Sequence, residues 1–192
     1  MSDINETADE TISDDSATES PKHYLGLEEG IFILMVVLSL TGISVTNFSV
    51  HDGYGYWLFM VFVFGLVSIV VSWLQSRTND NDFSIIIKQQ GLHWFHTLVI
   101  VAAASLLNKS GQLSEIAATL VVLLILALAT MLDGFRIGWQ FSLLGFFLAS
   151  CALIIAYVQP FMWYCIGLAI LVIAATLLWA RWMPTLQPPH DD

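Results

Sequence analysis

Two long stretches without a charged residue most constrain what this chain can fold into. Residues 116–132 contain no Asp, Glu, Lys or Arg, and neither do residues 137–158. A helix needs roughly 17–25 residues to cross the hydrocarbon core of a bilayer, so each stretch is long enough to span a membrane. The short polar segment between them, residues 132–139, is typical of a turn. The pattern predicts an integral membrane protein built from helices.

The composition agrees with a membrane protein, and the acidic residues are concentrated in one part of the chain. Hydrophobic residues make up 57% of the 192 residues and charged residues 11%, against roughly 25% charged residues in an average soluble domain. Nine of the sixteen acidic residues lie among the first 30 residues, so the net charge of −10 belongs mainly to a tail. We expect residues 1–27 to be a disordered acidic tail, 28–182 a transmembrane bundle and 183–192 a short C-terminal tail.

The apolar runs predict an all-α bundle of six spans, at residues 30–47, 57–73, 93–107, 116–132, 139–158 and 161–178. Residues 49–56 contain two glycines and are predicted as a short loop. The third span is the weakest because fifteen residues are short for a full crossing. We interpret residues 83–91 as an interfacial lead-in that lengthens it, and five spans are the alternative. All seven tryptophans fall near predicted span ends, where an aromatic side chain suits the headgroup region.

The six lysines and arginines predict the orientation of these spans. One side of a six-span bundle carries five of them, and the other side carries Lys109 alone; the five are Lys22, Arg77, Lys88, Arg136 and Arg181. Segments on the cytoplasmic side are enriched in Lys and Arg, so both termini are predicted to be cytoplasmic. With no signal-peptide character at the N-terminus, we expect a bacterial inner membrane.

Small residues form a stripe along the fifth span. They recur three and four residues apart, which places them on one helix face: Ser142, Gly145, Ala149, Ala152 and Ala156. Small residues let helix backbones approach closely in lipid. The stripe therefore predicts that the fifth helix lies at the centre of the bundle or contacts another subunit. Bulky residues on its other faces, Phe147 and Leu148 among them, are typical of lipid contact.

The first and fourth predicted turns of the chain share a short sequence motif, which is a weak internal repeat. Asp52-Gly53 is followed by Trp57, and Asp133-Gly134 is followed by Trp139. Three spans followed by three spans would form an inverted repeat, as in many transporters. The spacing differs by one residue, and Asp-Gly is a common turn pair, so the motif alone does not decide between a repeat and two ordinary turns.

Charged side chains are absent from the middle of every predicted span, which counts against buried carboxylates that couple transport to ions. One polar cluster is expected at the cytoplasmic interface. His93 and His96 share a helix face at the start of the third span, and Asp133 and Arg136 lie in the fourth loop. They either mark the interface or form a contact with a lipid headgroup or partner. A transition-metal site, which two histidines and a carboxylate would suit, is the remaining alternative.

Two functions remain open on the sequence. The first is a structural or accessory subunit that binds a partner protein or lipid. The second is a passive or facilitated transporter or channel for a small solute, with a polar path in span one formed by Ser39, Ser44 and Asn47. No catalytic residue, cofactor or bound metal is predicted, so an enzyme is disfavoured. We expect membrane lipids and a protein partner or a homo-oligomer as contacts, and no nucleic acid.

Overall fold

The computed structural model describes residues 27–78, 83–158 and 161–182. Within these ranges, it describes the side chains of all residues except those at 27–28, 75–87 and 180–182. They form six helices: α1 (Leu27–Phe48), α2 (Val50–Thr78), α3 (Phe83–Lys109), α4 (Glu115–Gly134), α5 (Trp139–Tyr157) and α6 (Phe161–Trp182). Each helix contains a segment long and apolar enough to span a membrane. The predicted all-α bundle with six spans is therefore confirmed. The predicted tails, apart from Leu27, lie outside the described residues.

The predicted loop at residues 49–56 is wrong. Ser49 alone separates α1 from α2, and α2 begins at Val50. A Cβ atom on Gly53 would lie 2.7 Å from the Cα atom of Thr46, so this glycine lets the two helices approach at the turn. The residue type that suggested a loop therefore provides close packing between two helices.

The interfacial lead-in predicted at residues 83–91 continues without a break into the third span. α3 is one helix from Phe83 to Lys109. The helix therefore has ample length to cross a bilayer, which resolves the shortness of the predicted span.

Four helices form a ring, and the other two cover opposite edges of it. The neighbours in the ring are α1–α2, α2–α4, α4–α5 and α5–α1. Helix α3 packs against α2 and α4, while α6 packs against α5 and α1. If the labels α1, α2 and α3 are exchanged with α4, α5 and α6, in that order, the list of contacting pairs among the described helices stays the same. The two halves of the chain, Leu27–Lys109 and Glu115–Trp182, therefore occupy equivalent places in the bundle.

The small-residue stripe of α5 lies partly inside this ring. A Cβ atom on Gly145 would lie 2.6 Å from the carbonyl oxygen of Ala127 and 2.7 Å from the amide nitrogen of Met131, both on α4. Ser142 donates a hydrogen bond of 3.0 Å to the carbonyl of Met131. Ala152 is buried, Ala149 is half-buried and Ala156 is exposed. The predicted close approach is therefore made between α4 and α5.

Two details of the prediction for α5 need correction. The helix shares its inner position with α1, α2 and α4, because each of these contacts three other helices. Phe147 and Leu148 are buried in the core, although their size suggested contact with lipid. α5 packs against α4, α1 and α6, so more than one of its faces is covered.

Two of the tryptophans near predicted span ends are buried inside the bundle. Trp57 and Trp94 are buried, and the indole nitrogen of Trp57 donates to Thr46 Oγ1 at 3.1 Å. Trp163 and Trp179 are exposed, as residues in a headgroup belt would be. A buried indole N–H needs an acceptor, and the bundle supplies one for each of the two buried tryptophans.

Candidate functional site

Asp133 is the one charged side chain that is buried among the described residues. It belongs to the last turn of α4, so its predicted place in a surface loop is wrong. The amide nitrogens of Arg136 and Ile137 both donate to the carbonyl oxygen of Asp133 at 2.9 Å, which ends the helix just beyond it. The side chain is only 1% exposed, so its carboxylate lies inside the bundle.

Three side chains donate hydrogen bonds to this carboxylate. Trp94 Nε1 lies 2.9 Å and Ser68 Oγ lies 2.5 Å from Oδ2 of Asp133. Gln90 Nε2 lies 2.7 Å from Oδ1 and also contacts Ser68 Oγ. Hydrogen bonds to a charged group are stronger than neutral ones, and they offset part of the cost of removing a carboxylate from water. We call these four residues and His93 the Asp133 site.

The Asp133 site connects the two halves of the chain. Asp133 lies in α4, the first helix of the second half, whereas its donors come from α2 and α3 of the first half. At the other contact between the halves, where α1 meets α5 and α6, the described residues include no buried Asp, Glu, His, Lys or Arg. A buried carboxylate is therefore found at one of the two equivalent contacts.

His93 is the fifth member of the site. Its Nε2 atom lies 3.5 Å from Oδ1 of Asp133 and 3.2 Å from the carbonyl oxygen of Ala129. The imidazole is mostly covered, with 14% of the side chain exposed. Of the four residues in the predicted polar cluster, His93 and Asp133 are therefore brought together.

The other two residues of that cluster lie outside the site. His96 is exposed, and its Nδ1 atom contacts the carbonyl oxygen of Leu92 at 2.7 Å in its own helix. Arg136 is exposed and donates to the carbonyl oxygen of Gln89 at 3.4 Å. Across the part of the chain that the structure describes, no three His, Cys, Asp or Glu side chains form a group suited to a metal.

Sequence reasoning missed three members of the site. Gln90 and Trp94 stand three residues before and one residue after His93, so Gln90, His93 and Trp94 share one face of α3. That spacing is a usable signal, although Gln90 lies in the segment interpreted as an interfacial lead-in. Ser68 lies in an otherwise apolar run, and nothing in the sequence connects it to Asp133.

The three residues of the polar path predicted in span one lie on α1 and differ in exposure. Ser39 and Ser44 donate to the carbonyl oxygens of Met35 and Leu40 in their own helix, at 2.8 and 2.9 Å. Ser39 is buried, Ser44 is half-buried and Asn47 is exposed. The two hydroxyls are therefore occupied within α1, as is common for serine in membrane helices.

Comparisons of this chain with protein-family models, with curated proteins and with solved structures found no match.

Proposed function

We propose that the protein carries a small polar solute or cation across the membrane, and that Asp133 binds it. The burial of this carboxylate between three helices is the observation that carries the proposal. An ionisable side chain inside a membrane bundle is costly and usually serves binding or transport. A carboxylate attracts a cation, and it accepts hydrogen bonds from hydroxyl or amide groups of a neutral solute.

The arrangement of the two halves supports the same function. Each half contributes three spans, and an odd number of spans places the second half in the opposite orientation to the first. Inverted repeats of this kind are common in transporters, with the binding site at the contact between the repeats. The Asp133 site joins α4 to α2 and α3, which is such a contact. The short Asp-Gly motif does not contribute, because Asp52 is exposed in the first turn of α2 whereas Asp133 is buried in the last turn of α4.

An accessory subunit that binds a partner protein or lipid is the second candidate. One sequence argument for it is weaker now, because the small-residue stripe packs partly against α4. One observation favours it. Every buried side-chain nitrogen or oxygen atom among the described residues has a hydrogen-bond partner, and a fully satisfied network also suits a purely structural role.

The orientation we favour places both termini in the cytoplasm of a bacterial cell, in its inner membrane. Five of the six cations lie on that side in the order of the six spans. The Asp133 site then lies near the cytoplasmic surface, because α4 ends and α3 begins on the side of the termini.

Flux measurements on purified protein in liposomes test the proposal. The panel contains glycerol, urea, Na⁺, K⁺, NH₄⁺ and H⁺. Stopped-flow light scattering measures the flux of the neutral solutes, and fluorescent indicators trapped in the liposomes measure the flux of the ions. At least one of these species should cross faster than in protein-free liposomes. Rates equal to those of empty liposomes for the whole panel would count against the transport proposal.

Native mass spectrometry of gently extracted protein tests the second candidate. A partner protein or a lipid bound in fixed stoichiometry supports an accessory subunit. A monomer or homo-oligomer with neither contradicts it and leaves transport as the function to pursue.

A further inference from the structure

An exposed basic surface lies where α3 and α4 meet, on the side of the bundle that holds the chain termini. Arg136 follows the end of α4 and is exposed, and its Nη1 atom donates to the carbonyl oxygen of Gln89 on α3 at 3.4 Å. Lys88, the residue before Gln89, is exposed as well. We call Lys88, Gln89 and Arg136 the Arg136 surface.

Among the described residues, no acidic side chain balances these two cations at the surface. Helix α3 contains no Asp or Glu, and the carboxylates of α4 are Glu115 at its far end and Asp133 inside the bundle. Glu29 belongs to α1, which packs against neither α3 nor α4. The ion pairs within the described part of the chain involve neither Lys88 nor Arg136. The Arg136 surface therefore presents positive charge at the membrane interface.

Exposed leucines of α4 lead from this surface toward the middle of the membrane. Leu124, Leu128 and Leu132 recur four residues apart on one helix face, and all three are exposed. At 1.5 Å per residue they extend over about 12 Å, against roughly 15 Å for half of the hydrocarbon core. A phosphate group at Arg136 with a hydrocarbon chain along these leucines matches the dimensions of a phospholipid in one leaflet.

We infer that the Arg136 surface binds the phosphate group of an anionic phospholipid, whose acyl chain lies against the three leucines. A guanidinium has five N–H donors, and the bond to Gln89 uses one of them. The remaining donors can bind two phosphate oxygens at once. Lys88 adds a second positive charge, which favours a headgroup with a net negative charge over a zwitterionic one.

A lipid at this position stabilises the contact between the two halves of the chain. The amide nitrogen of Arg136 donates to the carbonyl oxygen of Asp133 at 2.9 Å, and its guanidinium reaches α3. A phosphate group held by the same guanidinium therefore fixes the end of α4 beside α3. The side chain of Asp133 faces the bundle interior, away from this surface. The inference therefore rests on neither candidate function.

Native mass spectrometry of the full-length protein in detergent tests this inference. Phosphatidylglycerol and phosphatidylcholine with the same acyl chains are titrated in parallel, so the two lipids differ in the charge of the headgroup. The full-length chain includes the acidic residues of the N-terminal segment, which compete with the lipid during the measurement. The wild type should bind phosphatidylglycerol more tightly than phosphatidylcholine, by about fivefold or more.

Arg136→Gln should weaken the binding of phosphatidylglycerol by about fivefold and bring it close to that of phosphatidylcholine. Arg136→Lys keeps the positive charge and should retain most of the preference. Lys109→Gln is the matched control, because it removes an exposed cation at the other end of α3, and it should leave the preference unchanged. Lys88→Gln should also reduce the preference, and it provides the test if Arg136→Gln does not fold.

Equal affinities of the wild type for the two lipids would overturn the inference. So would an unchanged preference in a folded Arg136→Gln or, if that variant does not fold, in Lys88→Gln. An equal loss in Lys109→Gln would show that the preference reflects overall charge. Displacement of phosphatidylglycerol by excess inorganic phosphate would assign the surface to a free anion, and a wild-type dimer lost in Arg136→Gln would assign it to a second copy of the chain; either result contradicts a lipid site.

Discussion

Trp94 Nε1 donates to Oδ2 of Asp133 across 2.9 Å, so an indole from the first half of the chain binds a carboxylate from the second half. Both side chains are buried, and the bond joins α3 to α4. This contact places the one buried charge of the described residues where the two halves of the bundle meet.

Replacing Trp94 with phenylalanine should destabilise the protein by about 1–3 kcal/mol, because the buried carboxylate loses one donor while most of the ring volume is kept. Thermal unfolding in detergent measures the change. Trp163→Phe is the matched control, since this tryptophan is exposed on α6 and its replacement should change stability by less than about 0.5 kcal/mol. Equal effects of the two substitutions would show that the indole N–H of Trp94 contributes nothing specific.

Gly145→Ala should destabilise the contact between α4 and α5 by about 1–3 kcal/mol, because the new methyl group would overlap backbone atoms of Ala127 and Met131. Gly167→Ala on α6 is the control, as a Cβ atom there has no neighbour within 4 Å. The control should be neutral or more stable by about 0.5–1 kcal/mol, through the better helix propensity of alanine. Unfolding in a denaturing detergent, followed by circular dichroism, compares the two. A stability loss that is no larger for Gly145→Ala would contradict the close approach.

Thr46→Val should cost about 1–3 kcal/mol, because the buried indole N–H of Trp57 loses its side-chain acceptor. Thr41→Val is the control on the same helix. The Thr41 hydroxyl is exposed and donates to the carbonyl of Val37 at 3.0 Å without receiving a bond from a tryptophan. Thermal unfolding of both variants should separate them by more than about 1 kcal/mol, and similar midpoints would argue against the bond between Trp57 and Thr46.

The predicted orientation can be tested with single cysteines at exposed positions on the two sides. Gln112→Cys lies in the turn between α3 and α4, and Phe135→Cys follows α4. A membrane-impermeant maleimide added to intact cells with a permeabilised outer membrane should label position 112 and leave position 135 unlabelled. Inverted vesicles should give the reverse. The native Cys151 and Cys165 are buried and serve as the unlabelled background. Labelling of position 135 but not of position 112 in intact cells would contradict the predicted orientation, and labelling of both from one side would contradict a crossing by α4.

The apolar runs were sufficient to predict six spans, but not where each helix begins and ends. Glycines at 53 and 55 suggested a loop, yet Gly53 lies in α2 and packs against Thr46. Gln90 and Lys88 suggested an interface, yet both belong to α3. A polar residue at the end of an apolar run has the same sequence signature whether its side chain points to water or into the bundle.

For the same reason, the sequence indicated only two members of the candidate site, His93 and Asp133. His93 and Asp133 were two of the four candidates for a polar cluster at the interface, and the structure brings them together. The burial of Asp133 follows from two further residues at the end of α4 and from donors on α2 and α3, which are distant in sequence. Such a contact is a property of the packed bundle, so no local pattern around Asp133 or Ser68 indicates it.

Solute flux through the Asp133→Asn variant is the most direct test of the central claim that this buried carboxylate serves transport. The variant nearly preserves the shape of the side chain, and Asp52→Asn is the control because Asp52 is exposed at the start of α2. With a solute that crosses wild-type liposomes, Asp133→Asn should slow the flux by about tenfold or more, while Asp52→Asn keeps the wild-type rate. A folded Asp133→Asn protein that transports at the wild-type rate would show that the carboxylate only holds the helices together.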